Sequence, residues 1–223
     1  MDDKLIKNAL LLSTIRSNLD QSLFQFDNIK QLLQRPNLDL INEFKVKYED
    51  LKKVEQKLIC CNSIANIVNK NKISNMIEYY AGTGVSTFIA RTQNPELKAE
   101  LVGSDFKAYS ISRGLISLLG YHDINYDFIS NISKWNPMLH NPPNKVSKIT
   151  LISNKTPSTI TEINAVNIAI KYKMSLILIP YGQNSNAYDV QNRFEMYKKI
   201  LTHTHNIKII ESNNSIKTIY AIH

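Results

Sequence analysis

The stretch Glu78-Tyr79-Tyr80-Ala81-Gly82-Thr83-Gly84 sets an acid just ahead of two closely spaced glycines. It lies between a short apolar run and an amphipathic segment, the place of a strand-to-helix turn. Glycines at such a turn let the backbone approach a ligand closely. The first turn of the following helix also offers amide N–H groups that have no partner within the helix. Asp105 follows at the end of the next apolar run, directly after Gly103-Ser104. An acid about 20 residues beyond a glycine turn is placed to accept hydrogen bonds from the two hydroxyls of a ribose. The chemistry implied is recognition of a nucleoside-containing cofactor. Glycine is scarce, 6 in 223 residues, yet Gly82, Gly84 and Gly103 fall in this one unit. Each is expected to sit where a side chain would not fit.

The elements that must position these residues change character at residue 73. Residues 1–72 read as helices. Leu5, Ile6, Ala9, Leu10 and Leu12 keep helical spacing, as do Leu19, Leu23, Phe26 and Ile29. Arg35-Pro36-Asn37 interrupts them, because proline lacks an amide donor and pushes its predecessor out of the helical region. Phe44, Tyr48, Leu51, Val54, Leu58 and Ile59 outline a further helix face. From residue 73, short apolar runs alternate with amphipathic segments, the signature of βαβ units and a parallel sheet. The runs are 76–80, 101–104, 126–129, 149–153, 175–180, 207–211 and 217–222. Only a short turn, 212–215, separates the last two, so they should pair as a hairpin. The expected architecture is α/β: a seven-stranded, mainly parallel Rossmann-like sheet with a C-terminal antiparallel hairpin. A helical extension or cap (1–72) precedes the cofactor-binding domain (73–223). The segment 130–148 carries three prolines and the only tryptophan, Trp135, and reads as a long loop, either functional or pinned to the core by its indole.

Loop, acid and strand order together resemble the class I S-adenosylmethionine-dependent methyltransferases, over roughly residues 73–223. The first motif of that family reads acidic-x-Gly-x-Gly-x-Gly. The resemblance puts Glu78 in the acidic position, Gly82 and Gly84 in the second and third glycine positions, and Asp105 at the ribose. It implies S-adenosyl-L-methionine as cofactor, with Tyr80, Ala81 and Phe106 lining its site. The end of the third strand, Asn131 or else Asp127, would face the adenine, and Asn154 would follow the fourth strand. The first motif glycine is replaced by Tyr80, which would narrow the pocket or redirect the ligand. His122, Trp135, Tyr181 and Gln183 are candidates for the substrate side, and no general base can be named. The terminal hairpin separates this pattern from nicotinamide-dependent Rossmann proteins. Asn141-Pro142-Pro143 looks like the Asn-Pro-Pro-aromatic motif of amino-methylating enzymes, but it precedes the fourth strand and is followed by Asn144, so it reads as coincidence.

Composition bounds the rest. With 43% hydrophobic and 21% charged residues the chain is globular in type. Cys60 and Cys61 are neighbours in an apolar helical run and read as small buried hydrophobes. No cysteine or histidine spacing matches a metal site. The N-terminus lacks the basic region and cleavage pattern of a signal peptide, and no apolar stretch is long enough to span a bilayer, so a cytoplasmic protein is expected. The net charge of +8 is spread along the chain rather than gathered in an arm. A small-molecule acceptor leads. An RNA methyltransferase, a catalytically degenerate partner subunit and aminocarboxypropyl transfer from the same cofactor remain alternatives. The N-terminal helices could serve as a lid over the acceptor, cover one sheet face, or hold a homo-oligomer or protein partner.

Overall fold

A computed structural model describes residues 2–139, 141, 143–146, 148–154, 159–180, 187–211 and 217–223. Four helices come first: α1 (Asp2–Ile15), α2 (Phe26–Gln34), α3 (Asn37–Glu43) and α4 (Tyr48–Lys70). Strands and helices then alternate as β1 (Asn75–Tyr79), α5 (Val85–Gln93), β2 (Lys98–Gly103), α6 (Phe106–Leu119) and β3 (Ile124–Phe128). The second half contains α7 (Pro143–Val146), β4 (Thr150–Asn154), α8 (Thr159–Tyr172), β5 (Ser175–Ile179), α9 (Ala187–Leu201), β6 (Asn206–Glu211) and β7 (Lys217–Ile222).

The seven strands form one sheet in the order β3-β2-β1-β4-β5-β7-β6. All are parallel except β7, which runs antiparallel to both β5 and β6. The expected hairpin is therefore present, with its turn at 212–216 outside the described residues. Strand order reverses between β1 and β4, which opens a crevice at the carboxyl ends of the central strands.

Side chains alternate across the sheet with period two, so each strand feeds two cores. Met76, Ala99, Leu101, Ile124, Ile152 and Ile177 pack with α1, α2, α4, α5 and α6. Ile77, Tyr79, Val102, Leu151, Leu176 and Leu178 pack with α8 and α9. The N-terminal helices thus thicken one face: α4 and α1 contact α5, while α1 and α2 contact α6. Cys60 and Cys61 are both buried on α4.

Two helical readings are corrected. The pattern Leu19 to Ile29 is not one helix. The chain makes 3-10 turns at Arg16–Asn18 and Gln21–Phe24, and the Asp20 carboxylate, accepting from the Ser22 amide at 2.7 Å, caps the second. The face drawn from Phe44 to Ile59 holds in part: Leu51, Val54 and Leu58 pack against the core, but Phe44 ends α3 and Ile59 is exposed. The buried residues of α4 are Cys60, Cys61, Ile64, Ala65, Ile67 and Val68, whereas Tyr48 is 68% exposed. Spacing identifies a helix's apolar face but not the length of it that a neighbour covers. The 130–148 segment holds 3-10 turns at Ile132–Lys134 and Pro137–Leu139 besides α7. Among the described residues no helix is long and apolar enough to cross a membrane.

Candidate functional site

The turn after β1 is built from left-handed backbone. Tyr80, Gly82 and Gly84 have φ of 60°, 56° and 63°. A non-glycine residue in that region costs about 1–2 kcal/mol, so Tyr80 holds the conformation of the missing glycine under strain. Its ring is half-buried against the core that faces α8 and α9. A Cβ on Gly84 would meet the Leu101 side chain at 2.4 Å, so glycine is required there twice over. A Cβ on Gly82 would meet nothing within 4 Å. Room is therefore left beside Gly82 for a ligand to approach the backbone.

Three contacts fix this turn. The Ala81 amide donates to the Val102 carbonyl at 2.9 Å, and the Gly84 amide to the Ala81 carbonyl at 2.9 Å. The Tyr126 hydroxyl donates to the Gly82 carbonyl, also at 2.9 Å. Burial raises the Tyr126 pKa, and the nearby Asp105 and Glu78 carboxyls add to it, so the hydroxyl remains a donor. Its oxygen would stand 2.2 Å from a Cβ on Gly103, which explains the third glycine.

Glu78, the acid of the motif, turns inward between β1 and α5. It is buried, and its two oxygens accept from the hydroxyls of Ser86 and Thr87, each at 2.6 Å. Burial pushes its carboxyl pKa up against the opposing pull of these two bonds. The acid ties β1 to the first turn of α5, where the Thr87 amide also bonds it.

Asp105 lies between β2 and α6, at the carboxyl edge. Its Oδ1 accepts from the Ala108 amide at 3.0 Å and caps α6. Its Oδ2 accepts from Arg16 Nε at 2.8 Å, a partner 89 residues away. Burial alone would raise this acid, but the Ala108 amide and the Arg16 guanidinium outweigh it and hold the carboxyl below its usual range. Phe106 follows, 44% exposed, edge-on to Phe128 with ring centroids 6.3 Å apart. Tyr109 closes the group, 5.3 Å from the Phe128 ring. Two exposed aromatic rings, Phe106 and Phe128, thus form a wall beside Asp105.

Other expected site residues fall elsewhere. Asn131 caps the Ile132–Lys134 turn, its Oδ1 accepting from the Ser133 amide and hydroxyl. Asp127 lies within β3 opposite Val102, short of the carboxyl end. His122 sits in the turn before β3, at the opposite, amino edge of the sheet, where it lines a cavity of about 530 Å³ with Glu100, Asn125 and Asp127. It is therefore removed from the substrate side. Trp135 is buried, its ring 5.5 Å from that of Tyr79, and it anchors its segment to the core rather than meeting a substrate. Asn154 ends β4. Tyr181 and Gln183 lie outside the described residues. Among the described residues no group of His, Cys, Asp and Glu side chains could hold a metal.

Sequence reasoning missed Arg16, Tyr126 and Phe128. For Phe128 a signal existed, an aromatic at the end of the third strand. For Arg16 there was none, since its partner is remote in the chain.

Strand order, the reversed seventh strand and the glycine turn at the crevice are those of the class I S-adenosylmethionine-dependent methyltransferase fold. Solved structures share it at low sequence identity. A candidate caffeoyl-CoA O-methyltransferase from Staphylococcus aureus is 11% identical, with a TM-score of 0.50 over 87% of this chain and 99% of that one. A candidate O-methyltransferase from Nostoc punctiforme is 11% identical, with a TM-score of 0.55 over 78% of this chain and 59% of that one. An O-methyltransferase family protein from Burkholderia thailandensis is 8% identical, with a TM-score of 0.52 over 90% and 63%. No protein-family model matches the chain, and no curated protein sequence does.

Proposed function

We propose that the chain is an S-adenosylmethionine-dependent methyltransferase acting on a small-molecule acceptor. The observation that carries this reading is the pairing of an open glycine turn with Asp105 across one crevice. Gly82 and the α5 amides would hold the amino-acid end of the cofactor, Asp105 its ribose, and the Phe106–Phe128 wall its adenine. The cofactor, when bound, supplies a methyl group already activated on a sulfonium. The protein's share is then proximity and orientation. Glu78 and Tyr126 serve this indirectly, by fixing the turn from below. The small acceptor is favoured by the similar solved structures, three of which carry O-methyltransferase names.

Calorimetry with S-adenosylhomocysteine tests the cofactor reading. Asp105→Asn keeps an oxygen for capping α6 but loses the negative charge. Hydrogen bonds to charged groups are worth about 1.5–3 kcal/mol, so binding should weaken roughly tenfold or more. Equal affinity in the two proteins would remove Asp105 from the site. The net charge of +8 favours a second reading, RNA as acceptor. That reading requires RNA affinity that falls steeply as salt rises.

A further inference from the structure

The loop after α1 reaches across to the acid that would hold the ribose. Arg16 Nε donates to Asp105 Oδ2 at 2.8 Å, and the Arg16 guanidinium also bonds the Ser13 carbonyl. The neighbouring Lys107 fastens the same turn from the other side, its Nζ donating to the carbonyls of Arg16 at 2.9 Å and Leu19 at 2.6 Å. Its ammonium lies 5.1 Å from the ring of Phe24, at the end of the second 3-10 turn. The N-terminus of α6 is thus clamped to residues 16–24 through two consecutive cation contacts.

This arrangement sets Arg16 in competition with a ribose for Asp105. A vicinal diol presents two O–H donors to a carboxylate. Each carboxylate oxygen offers two acceptor sites, and on Asp105 the Ala108 amide takes one on Oδ1 while Arg16 takes one on Oδ2. A guanidinium has donors only, so it cannot accept from a ribose hydroxyl in exchange. We propose that the Arg16 turn is an intramolecular latch: it competes with the nucleoside for Asp105, and cofactor binding favours its release. The inference rests on the cofactor reading given above. Arg16 is about one-third exposed, at 32%, which puts the ion pair among the weak ones. Such pairs are worth about 0.2–1 kcal/mol, so the latch tunes affinity and does not abolish it.

The test uses the full chain and S-adenosylhomocysteine. Arg16→Gln should bind it tighter than the wild type, by roughly two- to fivefold. Lys107→Met, which frees the turn without touching Asp105, should act in the same direction. Hydrogen exchange supplies an independent readout. The amides of Leu19, Leu23 and Gln25 donate to carbonyls within the turns and report their closure. They should exchange faster when the ligand is added to the wild type, and faster in Arg16→Gln without ligand. Wild-type binding that both substitutions leave unchanged or weaken overturns the latch alone, and weakening in Arg16→Gln would make Arg16 a ligand contact instead. No binding by any of the three proteins overturns the cofactor reading and the latch with it.

Discussion

Gly103 and Tyr126 interlock at the bottom of the crevice, and the fit leaves no slack. A methyl group at residue 103 would stand 2.2 Å from the tyrosine oxygen. Gly103→Ala is expected to destabilise the fold by about 1–3 kcal/mol, the cost of forcing a packed site apart. Adding Tyr126→Phe removes the clashing oxygen and should recover part of that loss in urea unfolding. A double-mutant cycle that shows simple additivity would separate the two residues. Glu78 offers a second check. Glu78→Ala removes the carboxylate that the buried hydroxyls of Ser86 and Thr87 bond and should cost more stability than Glu78→Gln, which keeps one acceptor. The positions of these residues were legible in the sequence, but their tasks were less so. Scarce glycines and an acid on strand two pointed at the crevice. A motif gives order along the chain and not direction, so the bonds from Glu78 to Ser86 and Thr87 are visible only in the fold. Arg16 was invisible because nothing local marks an ion pair closed by tertiary packing.

Elements were more legible than side chains. Apolar runs of four to six residues separated by helical patterns located all seven strands, since a strand buried on both faces must be apolar throughout. The errors came where the signal was polar. β2 begins at Lys98, three residues before the apolar run at 101, because Lys98 and Glu100 lie on the sheet face that borders the amino-edge cavity. The join between α8 and α9 also uses polar chemistry. Arg193 Nη1 meets Glu162 Oε2 at 2.5 Å, and the Tyr197 hydroxyl donates to the same oxygen at 2.9 Å, all three side chains being buried. Removing one partner of a buried pair leaves a charge without its counterion. Arg193→Met should therefore cost about 3–5 kcal/mol in urea unfolding. Replacing Glu162 by leucine in that background should restore much of it, and a further loss would show that the pair does not clasp the helices.

The molecule as a whole is one mainly parallel sheet with unequal covers. A fragment beginning at residue 73 would bare the side of α5 and α6 that meets α1, α2 and α4, including Phe88, Ile111 and Leu115. It is expected to aggregate, as light scattering would report; a monodisperse folded fragment would show that the helices are dispensable. Acid should weaken the intact protein through His205. Burial, with His223 adding 5.3 Å away, lowers the His205 pKa in the folded state, although its bond to the Met174 carbonyl opposes this. An unfolded histidine near its ordinary value of about 6.5 then takes up the proton first, so stability present above that pH is lost as pH falls below it. The unfolding temperature should drop between neutral pH and pH ~5, and the drop should shrink in His205→Gln.

The reversed course of β7 has a practical side. It delivers His223 to the start of β5, where its amide donates to Ser175 Oγ at 3.3 Å. That is the pole of the sheet opposite Gly82 and Asp105. A protein coupled to a biosensor surface at position 223 would present the crevice outward to solution, so binding kinetics could be read without the support shielding the opening.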